Sequence, residues 1–215
     1  MKSSLFIDRG MQWLVLLYVL LFGMLMLVTN HGDFVLWLND YHTAFGDFFF
    51  KYWTHLGDGL LLAVLAFYFL FTNLYKFYYT LIAIAFQTVF VHIFKQWLFA
   101  SEPRPKTFFA DRLDELNFVE GVNVRGFDSF PSGHTASAFV LAFVLISFGR
   151  NKYLKVLFFV TAILVGISRV YILQHFLRDI YIGSVFGILA VFLAWLIMRP
   201  YDDREKLQKG LLKKS

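Results

Sequence analysis

The chain lacks cysteine altogether. It can therefore form neither a disulfide nor a thiolate metal site. Cysteine usage thus gives no indication of whether the protein works in an oxidising or a reducing compartment. Charged side chains are sparse, at 16 % of the residues, and the sequence shows no internal repeat and no second folded domain. These absences exclude disulfide-rich scaffolds and repeat arrays.

Apolar residues are abundant instead. They make up 59 % of the 215 residues, with 28 Phe, and the mean hydropathy is +0.61. Such values lie far above those of a soluble globular domain. The hydrocarbon layer of a bilayer is about 30 Å thick, and a helix needs roughly 20 residues to cross it. Several apolar runs approach this length, so the sequence predicts a membrane protein.

The apolar runs predict an all-α, polytopic membrane bundle, because lipid leaves an open strand edge unsatisfied. Six transmembrane helices are expected, at about residues 11–29, 59–72, 77–99, 132–148, 153–171 and 179–198. The first run lacks a small-residue cleavage site and is too long for a signal peptide, so we interpret it as a retained span. Residues 30–58 alternate aromatic and polar groups, which predicts one or two interfacial helices that anchor the chain or admit lipid.

Lysine and arginine are unevenly distributed around these spans. With the amino terminus inside, the inner side carries twelve of the twenty and the outer side carries eight. Because positive charge accumulates on the cytoplasmic side, both termini are expected in the cytoplasm. The ends of spans three and five and the starts of spans four and six then share the outer side. Residues 1–200 are expected to form the membrane domain, and residues 201–215 a charged, solvated cytoplasmic tail.

Three short stretches bring polar side chains to that outer side. They are Lys95 with Arg104-Pro105, then Pro131-Ser132-Gly133-His134, and then Ser168-Arg169 followed by His175 and Asp179. This pattern resembles the type 2 phosphatidic acid phosphatase superfamily, which also contains the vanadium haloperoxidases, over about residues 95–179. The resemblance implies a site that binds a phosphate group and transfers it.

The first stretch departs from the family pattern, in which six residues separate the lysine from Arg-Pro. Eight residues separate Lys95 from Arg104 here, and six-residue spacing would place Trp97 in that position. An indole cannot hold a phosphate charge. Lys95 is the only lysine between Lys76 and the Arg-Pro pair, so we assign the role to Lys95.

His175 is the candidate nucleophile, which would attack phosphorus and form a phosphohistidine that water then hydrolyses. Asp179 lies four residues further on, so the two side chains share one face if a helix begins near His175. A carboxylate bound to one ring nitrogen leaves the lone pair of the other nitrogen free to attack. An isolated pair of this kind would more often be an interfacial helix cap, and Ser168-Arg169 upstream reverses that preference.

His134 is the candidate general acid, which would protonate the leaving oxygen and then activate water. Ser132 is a natural N-cap, and Gly133 lets the backbone come close to a ligand. Free amides and the positive end of the helix dipole make such a start an anion site. The alternative is an ordinary capped helix without a ligand.

Three cations are expected to hold the phosphate. Arg104 and Arg169 can each bind two oxygens through a guanidinium fork, and Lys95 acts as a point charge. Each of them alone could be a side chain that snorkels toward lipid headgroups. Their joint presence beside two histidines favours phosphate binding, with Ser132 and Gly133 in the same predicted set.

No metal and no cofactor are predicted. His31, His42 and His55 lack the spacing of metal ligands, and His92 and Gln87 are interpreted as hydrogen-bonded residues of a helix core. The acidic residues do not cluster within the spans. Five of them occupy the loop before Ser132, where we expect them to rim the pocket: Asp111, Asp114, Glu115, Glu120 and Asp128.

The resemblance implies an integral membrane phosphatase that needs no metal and removes phosphate from a lipid phosphate or lipid diphosphate at the outer face of a bacterial cytoplasmic membrane. Candidate substrates are phosphatidate, phosphatidylglycerophosphate, an undecaprenyl diphosphate carrier and a lipid A phosphate. The expected partners are this lipid and the bilayer, without nucleic acid. Alternatives are a phosphotransferase with the same intermediate, a haloperoxidase, and a non-catalytic lipid-binding or transport protein. Transport is disfavoured because the ionisable residues gather at one membrane face.

Overall fold

A computed structural model describes residues 6–212 of the chain, and every regular element in this range is a helix. The α-helices are α1 (Arg9–Val28), α2 (Asp33–Asn39), α3 (Ala44–Trp53), α4 (Leu60–Thr72), α5 (Leu74–Ile93), α6 (Pro105–Phe108), α7 (Gly133–Phe148), α8 (Lys152–Tyr171), α9 (Leu177–Met198) and α10 (Glu205–Gln208). Short 3₁₀ segments occupy Thr54–Gly57, Ala110–Glu115 and Arg199–Tyr201, and α5 continues into a π turn at Phe94–Leu98. The expected all-α class is confirmed.

Apolar helices lie at all six positions where spans were expected, but they differ in length. Among the described residues, α1, α5 with its π turn, α8 and α9 are each long and apolar enough to cross a bilayer. Helix α7 has 16 residues and α4 has 13. The segment Ala44–Gly57 and α4 pass the same test together as one span bent by 43°. Length and composition thus support four or five crossings, and the sixth stays a prediction.

The centre of the bundle is formed by α5, α7, α8 and α9, and glycines let α9 approach α7 closely. A Cβ atom at Gly183 would lie 2.5 Å from the carbonyl oxygen of Ser132, and one at Gly187 would lie 2.6 Å from that of Ala136. Such distances leave no room for a side chain, so the two helix backbones are in contact. This contact holds the start of α7 beside the start of α9.

Gly183→Ala is therefore expected to destabilise the protein. Its methyl group must push against the rigid backbone of Ser132, and overpacking of this kind costs about 1–3 kcal/mol. Thermal unfolding of the purified protein in detergent measures the effect. Gly10→Ala is the matched control, because its Cβ would meet only the side chain of Asp8, at 3.4 Å. Equal melting temperatures for both variants would contradict the close α7–α9 contact.

The aromatic segment forms two helices, α2 and α3, of which α3 packs against α8. Many of its rings project away from the protein, with Trp37, Tyr41, Phe45, Phe48 and Tyr52 all more than half exposed. An interfacial location for them stays a prediction. After α3, however, the chain turns inward, and the 3₁₀ segment Thr54–Gly57 packs against α7 and α8. This turn lies within residues 30–58, for which interfacial helices were expected.

The carboxyl-terminal tail is only partly the solvated segment that we expected. Its charged side chains are exposed, but its backbone docks onto the turn between α4 and α5. The amides of Leu211 and Leu212 donate to the carbonyls of Leu70 and Phe71, at 3.1 and 3.3 Å. The last carbonyls of a helix lack partners within the helix, and the tail supplies them. Lys213 and Lys214 lie outside the described residues.

Candidate active site

The three motif stretches meet at one end of the bundle, where α5 and α8 end and α7 and α9 begin. A cavity of about 350 Å³ opens there. Its wall includes six of the eight predicted site residues: Lys95, Arg104, Gly133, His134, Arg169 and His175. Ser132 and Asp179 lie behind this wall and are fully buried. The structure therefore brings together side chains that are up to 80 positions apart in sequence.

His175 sits in the turn between α8 and α9, with only 2 % of its surface exposed. Its Nδ1 lies 3.3 Å from Oδ2 of Asp179, which also accepts hydrogen bonds from the Ser129 hydroxyl and the Phe176 amide. Because a carboxylate only accepts, the ring proton belongs on Nδ1 and the lone pair on Nε2. Burial holds the pKa of His175 well below its usual value. The imidazole is therefore neutral near pH 7.

The backbone of this turn fixes the direction of the His175 ring. The amides of Gln174 and His175 both donate to the carbonyl oxygen of Arg169, at 2.9 and 3.1 Å. Leu173 adopts φ 58°, in the left-handed region that a non-glycine residue rarely enters. This turn places His175 in the cavity wall. Its Nε2 lies 3.4 Å from Nη1 of Arg104.

His134 is the second residue of α7, and its Nε2 lies 2.7 Å from Oδ1 of Asp58. Ser132 caps this helix, since its Oγ accepts from the amide of Thr135 at 3.3 Å. A Cβ on Gly133 would meet only Val91, at an ordinary 3.7 Å. Protein packing thus leaves space at Gly133, which also lines the cavity. A direct phosphate contact of Ser132 stays a prediction, and its buried hydroxyl already serves as the cap.

The two arginines differ in how many of their N–H groups are free. Arg169 is buried at 7 % exposure and donates from Nη1 to Thr54 Oγ1 at 2.8 Å, while its Nε has no partner among residues 6–212. Arg104 donates from Nε to Phe127 O and from Nη2 to Asp128 O, at 2.7 and 3.0 Å. Its Nη1 donates to both oxygens of Gln174, at 2.9 and 2.7 Å.

The expectation that each arginine binds phosphate through a fork stays a prediction, and for Arg104 it requires donors that the protein occupies to change partner. Four of its hydrogen bonds already go to the protein, and a guanidinium has five N–H donors. Through these hydrogen bonds, Arg104 links the loop before α7 to the turn that carries His175. It also contributes positive charge to the cavity. Burial and the nearby charge of Arg125 lower its pKa to about 10. The side chain of Arg169 makes a single hydrogen bond within residues 6–212, from Nη1 to Thr54, and so has more donors left for a ligand than Arg104 has.

Lys95 lies on the π turn that ends α5, and it lines the cavity with Arg104 despite the longer spacing between them. A π turn widens a helix locally and shifts the side chains that follow. The extra residues after Lys95 are accommodated in this turn and in the irregular segment before Arg104. The lysine role of Lys95 stays a prediction that this position favours.

Two residues that contact the predicted site side chains were missed because they lie in the segment interpreted as interfacial. Thr54 contacts Arg169, and Asp58 contacts both His134 and His55, the latter at 2.6 Å. A Cβ at Gly57 would lie 2.6 Å from the carbonyl oxygen of His134, so this approach requires glycine. The polar run from Thr54 to Asp58, which interrupts the aromatic pattern, was the available signal.

Other expectations about polar residues change as well. None of the five acidic loop residues lines the cavity, and Glu115 pairs with Arg112 instead. His92 is exposed on α5 rather than buried in the core, whereas Gln87 is buried as expected. Within residues 6–212, no three His, Cys, Asp or Glu side chains are grouped as metal ligands would be. The predicted independence from metal stays a prediction.

Comparison with known proteins agrees with this architecture. A family model described as the PAP2 superfamily matches residues 59–202. Phosphatidylglycerophosphatase B of Bacillus subtilis (strain 168) is 31 % identical over 123 residues, which cover 53 % of this chain and 52 % of that protein. The alignment thus spans about half the length of this curated relative.

Two crystal structures are similar in fold. Aquifex aeolicus LpxE is 30 % identical with a TM-score of 0.66, over 77 % of this chain and 94 % of that one. The first transmembrane PAP2 type phosphatidylglycerolphosphate phosphatase from Bacillus subtilis is 22 % identical with a TM-score of 0.57, over 88 % and 96 % of the two chains. The second likeness concerns the fold alone.

The apolar helices and the membrane relatives define the class of protein: an all-helical integral membrane protein whose cavity is lined by cations and two histidines. The chain belongs to the PAP2 superfamily. This membership confirms the resemblance that the three motif stretches suggested.

Proposed function

We propose that the chain is a membrane phosphatase that removes phosphate from a lipid phosphate or lipid diphosphate through a phosphohistidine on His175. The observation that carries this proposal is one cavity whose wall contains the buried His175, His134 and Arg169. The names of the relatives, which include a phosphatidylglycerophosphatase, support a lipid substrate.

In the first step, the Nε2 lone pair of His175 forms a bond to phosphorus while the bond from phosphorus to the ester oxygen breaks. His134 gives its proton to that oxygen, and Arg169 and Lys95 stabilise the charge on the phosphoryl oxygens. In the second step, His134 takes a proton from water, whose oxygen attacks phosphorus. The bond between nitrogen and phosphorus then breaks, inorganic phosphate leaves, and His175 is restored.

Asp58 acts in this scheme as a positioning residue for His134. Its carboxylate holds Nε2 at 2.7 Å and favours the protonated imidazole that a general acid requires. Burial and the charges of Arg169 and Arg104 oppose that protonation. A bound phosphate dianion would offset both charges and so favour the protonated ring when substrate is present.

We further propose that the cavity faces the exterior and that both termini lie in the cytoplasm. Eight of the twenty lysines and arginines belong to the cavity end, and five of these line the cavity: Lys51, Lys95, Arg104, Arg125 and Arg169. The proposed phosphate site accounts for the position of these five, so they are left out of the comparison that sets the orientation. Three remain to compare with nine at the other end within residues 6–212, which supports a cytoplasmic location for that end.

The activity is tested with purified protein in detergent and a panel of lipid phosphates. Release of inorganic phosphate is expected from at least one of them, and the rate is expected to persist in excess chelator. Product analysis with an added alcohol separates hydrolysis from phosphotransfer. If chelator abolished turnover and a divalent metal restored it, the metal-free mechanism would be wrong.

A further inference from the structure

We propose that the cavity contains a subsite for a second phosphoryl group, which Arg125 and Lys51 bind beside the phosphate to be removed. The inference builds on the proposed function and narrows the substrate class to lipids whose headgroup carries two phosphoryl groups. These are either adjacent, as in a diphosphate, or separated by glycerol, as in a phosphoglycerol phosphate.

The cavity is larger and more positive than a single phosphate requires. Its volume of about 350 Å³ falls within the roughly 300–1,000 Å³ of pockets that hold whole ligands. Five cationic side chains line it, against one carboxylate, that of Asp58. A phosphomonoester brings about two negative charges, so one such group leaves positive charge uncompensated. Arg125 is exposed and Lys51 is half-buried, so water can hydrate both charges until a ligand binds.

The cations come from two sets of elements. Lys95 and Arg169 lie at the ends of α5 and α8. Lys51 belongs to α3, and Arg125 belongs to the loop before α7, which lines the cavity together with Gly121, Val122 and Asn123. Most N–H donors of Arg104 are hydrogen-bonded to the protein. Arg125 is therefore the guanidinium of the loop before α7 whose donors are available to a ligand.

Arg125 makes no hydrogen bond and no ion pair with any residue in the range 6–212. The acidic residues of its own loop do not pair with it within this range, and Glu115 pairs with Arg112. Lys51 donates from Nζ to the carbonyl oxygen of Glu120 at 2.7 Å, which satisfies one N–H but leaves the charge unpaired. The positive charge of Arg125 also reaches the site, since it helps to lower the pKa of Arg104.

The loop that carries Arg125 is tied to the catalytic turn by hydrogen bonds on both sides of the arginine. Nε2 of Gln174 donates to Asn123 O at 2.8 Å, and the amide of Arg104 donates to Gly126 O at 2.8 Å. Gly121, at φ 72°, lies against Lys51, whose Nζ would be 2.7 Å from an added Cβ. Both cations are therefore attached to a backbone that is ordered before the ligand arrives, and preorganisation lowers the cost of binding.

The test compares matched substrates on the wild type and on Arg125→Gln. One pair is farnesyl diphosphate and farnesyl monophosphate, and the other is phosphatidylglycerophosphate and phosphatidate. The ratio of kcat/KM for the two-phosphoryl substrate to that for the monophosphate should fall roughly 10- to 100-fold, as expected for one lost charge-assisted hydrogen bond. The pair that responds identifies the spacing of the two groups.

Lys106→Gln is the control, because Lys106 is an exposed cation of the same outer region that does not line the cavity. It should leave the ratio unchanged. If Arg125→Gln left both ratios unchanged, or lowered the rates for monophosphates equally, the subsite would be ruled out and general attraction of anions would remain. Lys51→Gln should act in the same direction as Arg125→Gln.

A binding measurement separates this inference from the proposed activity. Calorimetric titration of the wild type should give an affinity for inorganic pyrophosphate at least tenfold higher than for inorganic phosphate, and Arg125→Gln should remove the difference. Equal wild-type affinities for the two anions would refute the subsite even if the enzyme hydrolyses lipid phosphates. Conversely, a protein that discriminates between the anions but releases no phosphate from any lipid would retain the subsite and lose the proposed function.

Discussion

His175→Ala is expected to abolish phosphate release and to prevent any covalent phosphoenzyme from forming. The imidazole supplies the electron pair that displaces the ester oxygen, and Asp179 holds its Nδ1 so that the Nε2 lone pair can attack. Loss of a nucleophile lowers turnover by roughly 10⁴-fold or more. Inorganic phosphate release measures turnover, and labelling with radioactive substrate after a rapid quench measures the phosphoenzyme.

His92→Ala is the matched control for this change, because it removes an imidazole from an exposed position of α5 outside the cavity. It should label and turn over as the wild type does. Thermal unfolding shows whether the His175 variant is folded. A folded His175→Ala protein that retained wild-type turnover or labelling would assign the nucleophile to another residue.

The pH dependence gives a second readout of the same residue. Burial holds the pKa of His175 below the usual value of about 6.5, and Arg104 and Arg169 act in the same direction, while Asp179 opposes them. Only the neutral ring attacks phosphorus. The acid limb of kcat/KM, which reports the free enzyme, should therefore lie below pH 6.5. His175 is protonated only at that lower pH, where activity is lost.

His134→Ala is expected to lower kcat by roughly 10²–10⁴-fold, the range for a lost general acid. The ester oxygen then leaves without a proton, and water attacks the phosphohistidine without a base. Because both steps slow, the variant should still label with radioactive substrate, and its phosphoenzyme should decay more slowly than that of the wild type. Labelling that persists in His134→Ala and disappears in His175→Ala distinguishes the two roles.

Asp58→Asn tests the partner of His134. The amide oxygen can still accept from Nε2, but it lacks the charge that favours the protonated ring. A kcat between those of the wild type and His134→Ala, with little change in KM, is the expected outcome. Wild-type kinetics in a folded Asp58→Asn protein would indicate that the 2.7 Å contact has no part in proton transfer. Asp58→Glu, which restores the charge, should recover part of the rate.

The sequence predicted the elements that depend on local patterns. Apolar runs located α1, α4, α5, α7, α8 and α9, because the hydrophobic effect acts on each segment directly. The spacing between His175 and Asp179 predicted their contact, although His175 lies in the turn before α9 and Asp179 in the first turn of that helix, so the two do not share a helix face. Local patterns were insufficient for the short helices α4 and α7, because hydropathy does not tell whether helices of this length cross a bilayer.

What the amino-acid sequence by itself determined is the family, the helical class and the identity of the motif side chains. Only the tertiary structure decided that Asp58 contacts His134 and that Arg104 donates most of its hydrogen bonds to the protein. These facts depend on segments far apart in the chain, brought together where Gly183 lets α9 touch α7 and where Gly57 lets the turn after α3 approach α7. A local pattern carries no record of such contacts, because they depend on how the whole bundle fills its space.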